Sequence, residues 1–175
     1  MDTDLKTSIW QQFGASIGML ENAMSTCPDQ FWDSALWKDP DDEPEYSQFW
    51  YRVYHTLFWL DLYLSGLSYE DYSPPTPFKR GVLPEKPYTK DQLHGYLEHC
   101  RGKCQATIEV LTDKKARQRC KFDWGEVSFF ELILYNMRHV QDHTAHLNMF
   151  LGQHDISVND WVTQADEIQA TGGSI

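Results

Sequence analysis

Apolar residues recur at intervals of three and four along most of this chain, which is the spacing of one face of an α-helix. No run alternates apolar and polar residues cleanly enough to predict a β-strand between turn signals. The pattern therefore predicts a helical protein with four long helices, at about residues 4–26, 47–64, 89–111 and 128–152.

Helix-start and helix-stop residues support three of these boundaries. Thr89 with Gln92, and Ser128 with Glu131, have the spacing of a capping box at the first turn of a helix. Gly66 follows the second apolar run and is a suitable C-terminal stop, because glycine adopts the left-handed conformation that ends many helices.

The segments between the predicted helices are long and rich in helix-breaking residues. Residues 28–45 are rich in Pro and Asp, with a short turn expected at residues 29–32, and residues 66–88 form a long crossover. We expect one domain over residues 1–175, with a helical body at about 4–152 and an irregular tail at 153–175 whose Trp161 packs back on the body. The predicted fold is an all-α four-helix bundle with long connecting loops, and the crossover permits a topology other than simple up-and-down.

Composition and charge exclude several functional classes. The 175 residues carry a net charge of −11, so no basic stripe is available for nucleic acid. We expect no signal peptide and no membrane span, because the most apolar stretch, residues 51–64, contains Arg52, His55 and Asp61. The protein is predicted to be cytoplasmic, with its four cysteines reduced.

Three histidines occupy core-type positions of the fourth long helix. His139, His143 and His146 are four and three residues apart and share a face with apolar residues. Either neighbouring pair can bind one metal ion, but His139 and His146 lie about 10 Å apart along the axis, so one ion held by all three is not expected. The third ligand must come from another helix, and His55 is the histidine in a core-type position of the second.

A three-histidine site without a fourth protein ligand leaves coordination positions open, as catalytic metal sites do. Imidazole ligation suits Zn, Ni, Fe or Cu without choosing among them, and Asn136, Glu131 or Asp142 could accept hydrogen bonds from the ligands. The competing interpretation is that these are buried histidines satisfied by hydrogen bonds. The remaining ones are expected to be solvated or packed: His94, His99 and His154.

Two other groups of residues are weighed against simple packing roles. Cys100 and Cys104 lie one turn apart beside His99, which could hold a soft metal, but buried cysteines usually behave as small hydrophobes. Trp50, Trp59 and Tyr63 recur at helical spacing in the second helix and are expected in the core rather than in a surface that stacks on a ligand. No phosphate-binding loop, HExxH motif or nucleophile–histidine arrangement is present.

The second and fourth long helices resemble those of the DinB/YfiT-like superfamily of bacterial metal-binding four-helix bundles. The resemblance covers about residues 5–152 and is based on one histidine in Tyr51-Arg-Val-Tyr-His55 and an HxxxH in Arg138-His-Val-Gln-Asp-His143. It implies that His55, His139 and His143 are the metal ligands. Relatives often carry Gln at the position of His146. That residue could donate a hydrogen bond to a ligand, carry a proton, contact the substrate or act as an alternative ligand.

The resemblance also carries expectations about chemistry. It implies a divalent metal ion, first Zn or Ni with Fe or Mn as further options, and a homodimer. Some relatives look like transferases or isomerases that use thiols such as bacillithiol or mycothiol. We therefore expect a metal-dependent transferase or hydrolase acting on an unidentified small molecule, with a low-molecular-weight thiol as a further cofactor. The alternative is a non-catalytic metal-binding bundle with a structural or sensing role.

Overall fold

Helices dominate the computed structural model, which describes residues 1–38, 40–158 and 161–166. The helices and strands, in chain order, are α1 (Thr3–Thr26), α2 (Phe49–Ser65), α3 (Lys90–Glu109), α4 (Asp113–Ala116), β1 (Arg119–Phe122), β2 (Gly125–Ser128) and α5 (Phe129–Gln153). The four long helices are α1, α2, α3 and α5, which confirms the prediction of an all-α bundle. Short 3₁₀ turns at Asp29–Phe31 and Pro44–Ser47 interrupt the long loop between α1 and α2.

The ends of the long helices are set by the residues that the sequence indicated. Thr89 and Gln92 form the complete capping box at the start of α3. Ser128 accepts a hydrogen bond from the backbone N–H of Glu131 at the start of α5. Gly66 ends α2 with a φ of 68°, a conformation that costs glycine little.

The four long helices pack in a ring in which sequence neighbours are not always spatial neighbours. Both α1 and α2 pack against α3 and against α5, so α1 and α2 lie diagonally across the bundle. The arrangement differs from a simple up-and-down bundle, where α2 would lie beside α1. The long loops at 27–48 and 66–89 supply the chain length that this order requires.

A buried carboxylate fixes the interface between α2 and α3. Asp61 is 1% exposed, yet its carboxylate has several partners: the Tyr96 hydroxyl donates to it at 3.1 Å, and the Tyr72 hydroxyl and the Lys103 ammonium group also donate to it. Lys103 donates in addition to the Asp61 carbonyl oxygen at 2.9 Å. Burial raises the pKa of both tyrosines, so their hydroxyls stay protonated as donors.

A small β-hairpin precedes α5, and the prediction that the chain contains no strand was wrong here. Strand β1 pairs antiparallel with β2, with Cys120 opposite Val127 and Phe122 opposite Gly125. The side chains of Cys120 and Phe122 are buried, whereas the residues that alternate with them are exposed. Four residues are too few for the alternation to stand out from a helical background, and packing of this face on the bundle supplies the missing stability.

The tail packs back on the bundle through residues other than the one predicted. Trp161 is 67% exposed, whereas Val162 and Ala165 lie against α1. A Cβ on Gly14 would lie 2.5 Å from the Cβ of Ala165, so the approach of the tail requires glycine at this position of α1. The rest of the predicted tail, residues 159–160 and 167–175, lies outside the described residues.

The four cysteines are all free and buried. Burial raises the pKa of Cys100 well above its ordinary value, and its thiol lies 3.6 Å from the Leu57 carbonyl oxygen, which favours the hydrophobic role over metal binding. No helix among the described residues is both long enough and apolar enough to cross a membrane.

Removing the buried carboxylate should destabilise the bundle. Asp61→Ala leaves the Lys103 ammonium group and two tyrosine hydroxyls without their acceptor, and we expect the free energy of unfolding to fall by about 2–4 kcal/mol in urea denaturation. The control is Glu98→Ala, which removes an exposed ion pair with Arg101 and should change stability by no more than about 0.5 kcal/mol. Equal losses in the two variants would contradict a central role for Asp61.

Candidate metal centre

Three histidines from two helices meet at the interface between α2 and α5. The Nε2 atoms of His55 and His139 are 3.4 Å apart. The ring centroid of His143 is 5.0 Å from that of His55 and 4.4 Å from that of His139. Each of the three rings offers a nitrogen, and these nitrogens all lie within 4.8 Å of one another. The structure thus brings together the three residues that the sequence predicted; their role as metal ligands stays a prediction.

His146 lies one turn further along α5 and belongs to a different group. Its ring centroid is 5.7 Å from that of His143, and it offers a nitrogen within 4.8 Å of ligand atoms of His143 and Asp142. His55 and His139 do not take part in this second group. The helical rise that separates His139 from His146 accounts for the division.

Local sequence on α5 places one face against α2 and holds it there. Asn136 is fully buried, and its side-chain amide donates to the carbonyl oxygen of Leu60 on α2 at 3.0 Å. His139 follows Asn136 by three residues, so both side chains project from the same side of α5. This hydrogen bond therefore fixes α5 against α2 one turn from the histidines.

Burial keeps the three imidazoles neutral. Desolvation lowers the pKa of His139 to about 3 and that of His143 to about 4, and it lowers the pKa of His55 well below its ordinary value. Repulsion by neighbouring imidazoles and by the Arg52 guanidinium is a smaller contribution to these lowered pKa values. Neutral imidazoles retain the lone pairs that a metal ion requires, so no proton has to be displaced near pH 7.

The donor set fits a divalent ion. The Nδ1 atoms of His139 and His143 are buried without a hydrogen-bond partner among the described residues. The 3.4 Å between the Nε2 atoms of His55 and His139 suits two ligands of one ion, since nitrogens bound to tetrahedral zinc at about 2.0–2.1 Å are about 3.3 Å apart. An ion at this place would take the lone pairs of the two Nε2 atoms, whereas the Nδ1 of His139 cannot reach the same ion and would still need another partner.

The surroundings of the cluster combine aromatic walls with one open side. The rings of Tyr51 and Trp59 lie 6.3 Å from that of His55, and the ring of Tyr63 lies 6.2 Å from that of His139. On the other side, a cavity of about 530 Å³ is lined by His139 and His143 together with neighbouring residues of α5. A small molecule can therefore approach two of the three histidines from solvent.

Two residues beside the cluster were missed by the sequence analysis. The Arg52 guanidinium lies 4.7 Å from the centroid of the Trp37 ring, which in turn lies 5.6 Å from the ring of His146. Arg52 precedes His55 by three residues, so helical spacing alone could have placed it on this face. Trp37 comes from the loop between α1 and α2, and no local pattern indicates its position.

The remaining histidines lie outside the cluster, as expected. His99 is half exposed and its Nε2 lies 3.5 Å from the Asp61 carboxylate. The Nδ1 of exposed His154 lies 2.8 Å from the Phe150 carbonyl oxygen, and His94 lies partly buried on α3. Of the residues expected to accept hydrogen bonds from the ligands, Asp142 has its carboxylate 3.7 Å from the Nδ1 of His143, and Glu131 is exposed at the start of α5.

Fold and site together define a helical bundle with a three-histidine cluster between its second and last long helices. The chain belongs to the DinB superfamily, whose sequence pattern matches residues 12–147. That range includes His55, His139 and His143, and it confirms the resemblance seen in the sequence.

A solved structure supports the fold independently. The crystal structure of a DinB-like protein, YjoA, from Bacillus subtilis superposes with a TM-score of 0.62 and covers 89% of this chain and 98% of its own. The two sequences are 12% identical, so the likeness establishes the fold alone. The comparison with curated proteins gives no match.

The lowered pKa values predict acid sensitivity of the metal-free protein. Below about pH 6.5 the unfolded chain binds protons at these histidines and the folded chain does not, so stability should fall as the pH drops from about 6.5 to 4, by up to about 1.4 kcal/mol per pH unit for each histidine. Urea denaturation of His139→Gln should show a smaller loss over this range. His154→Gln is the control and should retain the wild-type slope; equal slopes in all three proteins would contradict the burial of neutral His139.

Proposed function

We propose that this protein is a metal-dependent enzyme of the DinB superfamily that acts on a small molecule, with His55, His139 and His143 as the metal ligands. The observation that carries the proposal is the convergence of three imidazole nitrogens, from two helices, within 4.8 Å of one another. Burial of the rings and their lowered pKa values support it, because the ligands are ready in the neutral form at neutral pH.

The protein's own residues have separable roles in this proposal. The aromatic rings of Tyr51, Trp59 and Tyr63 exclude water from the sides of the cluster and leave the α5 cavity as the entrance. Asn136 holds α5 in register with α2. His146 lies beside His143 without sharing the three-nitrogen cluster, so it is placed to donate a hydrogen bond or to carry a proton.

The chemistry expected of the ion follows from its open positions. A divalent ion held by three imidazoles lowers the pKa of a water molecule or thiol that binds beside them, so that the deprotonated form is available at neutral pH. Zn or Ni is the first expectation, with Fe or Mn as alternatives. By analogy with the thiol-using relatives, we propose a transferase or hydrolase reaction, with a low-molecular-weight thiol as the second cofactor.

A non-catalytic role is the second candidate. The cluster lies between α2 and α5, so an ion held there would join two helices of the bundle and stabilise the fold. Within the described residues, no cysteine joins either histidine group, and all four cysteines are buried. An ion that stabilises without activating a small molecule would fit these facts.

Removal of a ligand should abolish metal binding. We expect wild-type protein incubated with Zn²⁺ or Ni²⁺, then desalted, to retain about one ion per chain by elemental analysis. His55→Ala and His143→Ala should each lose at least about tenfold in affinity, since even changes outside the ligand shell cause losses of that size. His154→Ala is the matched control and should keep its ion. Full occupancy in the His55 and His143 variants would make the ligand assignment wrong.

The two candidate functions differ in what the bound ion does. Both predict that removal of the ion by a chelator lowers the melting temperature. A free ion concentration of about 100 times the dissociation constant stabilises the folded protein by about 2.7 kcal/mol. Only the enzyme also predicts that the metal-loaded protein accelerates reaction of a thiol with a small electrophile, and that the His143→Ala protein does not. Metal-dependent stability with no acceleration across a panel of thiols and electrophiles would favour the structural role.

A further inference from the structure

A second cavity, of about 610 Å³, lies beside α2 one helical turn beyond His55. It is bounded by Trp59 on α2, by the segment that follows α2, and by the turn between β1 and β2. This volume is in the range of small-molecule binding sites, and the metal-ligand proposal leaves the cavity without a role.

The walls of this cavity are two stacked aromatic pairs from different parts of the chain. Trp59 and Tyr69 form one pair, with ring centroids 5.6 Å apart and planes inclined by 27°. Phe122 and Trp124 form the other, with centroids 5.3 Å apart and planes inclined by only 4°. Together the pairs line the cavity with aromatic rings, whose faces are electron-rich.

Trp124 is held in place although it is not part of the core. It lies in the hairpin turn with 46% of its surface exposed, and its ring also stacks on that of Tyr135, at 4.7 Å and 18°. A large aromatic side chain that is both ordered by stacking and open to solvent is typical of a binding surface.

The charged side chains that line the cavity favour a positive ligand. Glu70 and Asp123 contribute two carboxylates, against one ammonium group from Lys121. None of the three forms an ion pair with another residue of the described chain. The net charge of −11 also favours the approach of a cation. The Arg80 guanidinium lies 5.1 Å from the centroid of the Tyr69 ring, so the positive group of a ligand has to lie nearer the carboxylates and the other rings.

We propose that this aromatic cavity binds a small organic cation with an apolar body, such as a quaternary or tertiary ammonium compound. The two carboxylates and the aromatic lining favour a positive charge while the apolar body is removed from water, and the carboxylates oppose an anion of the same size. A neutral compound of the same shape gains only from the removal of its apolar body from water.

The position of the cavity links it to the histidine cluster. The ring of Trp59 lies 6.3 Å from that of His55, and the ring of Tyr63 lies 5.2 Å from that of Phe122 and 6.2 Å from that of His139. A ligand in the cavity is therefore separated from the cluster by single aromatic side chains. Binding of the cation stands by itself, whereas its assignment as the substrate of the histidine site rests on the proposed function.

Three probes of nearly equal shape test the charge preference on metal-free, full-length protein. Choline, the neutral 3,3-dimethylbutan-1-ol and the anionic 3,3-dimethylbutanoate can each be titrated while the indole N–H signals of the tryptophans are followed by NMR. We expect choline to bind roughly tenfold more tightly than the neutral alcohol, and the carboxylate to bind more weakly than either. Equal binding of the three, or binding of none, would overturn the proposal.

Variants locate the site. Trp124→Ala should weaken choline binding at least about fivefold, and Trp161→Ala is the control because it removes another exposed indole that does not line the cavity. The double variant Glu70→Gln with Asp123→Asn, which changes only surface charge, should reduce the preference for choline over the alcohol, and Lys121→Gln should increase it. Unchanged choline affinity in both the Trp124 and the carboxylate variants would place the binding elsewhere and refute the assignment.

The same titration on His143→Ala separates this inference from the proposed function. Choline binding in this variant should match wild type, because the cavity lining does not include His143. Choline binding by wild-type protein that retains no Zn²⁺ or Ni²⁺ after desalting would leave the cavity assignment standing and sink the metal-dependent reaction. Metal binding without any choline binding would do the opposite.

Discussion

The second helix has to bury a polar side chain on each of two faces, and the rest of the bundle is arranged around that constraint. Asp61 and His55 are six residues apart, so they point about 120° apart around α2. Toward α3, tyrosine hydroxyls and the Lys103 ammonium group satisfy the Asp61 carboxylate. Toward α5, His55 meets two further imidazoles. The first face is satisfied by the protein itself, whereas the second retains donor nitrogens that a ligand can use.

Desolvation has opposite consequences on these two faces. The charged Asp61 carboxylate is held by hydrogen bonds. Loss of any one of these bonds would leave a buried polar group without a partner, so they rigidify the interface between α2 and α3. Around His55 the imidazoles avoid the cost by remaining neutral. The Arg52 guanidinium beside them reinforces neutrality through repulsion of the protonated forms. The same burial that costs stability in acid therefore prepares the nitrogens to bind an ion.

Periodicity was enough to predict the four long helices and to place His55 against a histidine pair of α5, whereas the choice of His139 and His143 as that pair came from the resemblance to the DinB superfamily. Spacing decides which residues share a helix face. Histidines on the buried faces of two helices in one bundle are therefore expected to lie near each other. What periodicity could not supply were contacts made by irregular or very short segments: Trp37 from a loop, and the hairpin that carries Trp124. These positions depend on tertiary packing, as does the exposure of Trp161, which was predicted to pack.

The histidine pair on α5 and the addition of His55 from α2 depend on different features of the fold. His139 and His143 are paired by the α-helix itself, and any sequence that keeps α5 helical keeps that pair. His55 joins them only if α2 and α5 hold one register, because a slip of one residue turns a side chain by about 100°. The hydrogen bond from Asn136 to the Leu60 carbonyl opposes such a slip at the interface itself. This chain and YjoA share the arrangement of the helices at 12% sequence identity. Side-chain contacts such as the one from Asn136 decide whether that arrangement brings three histidines together or only two.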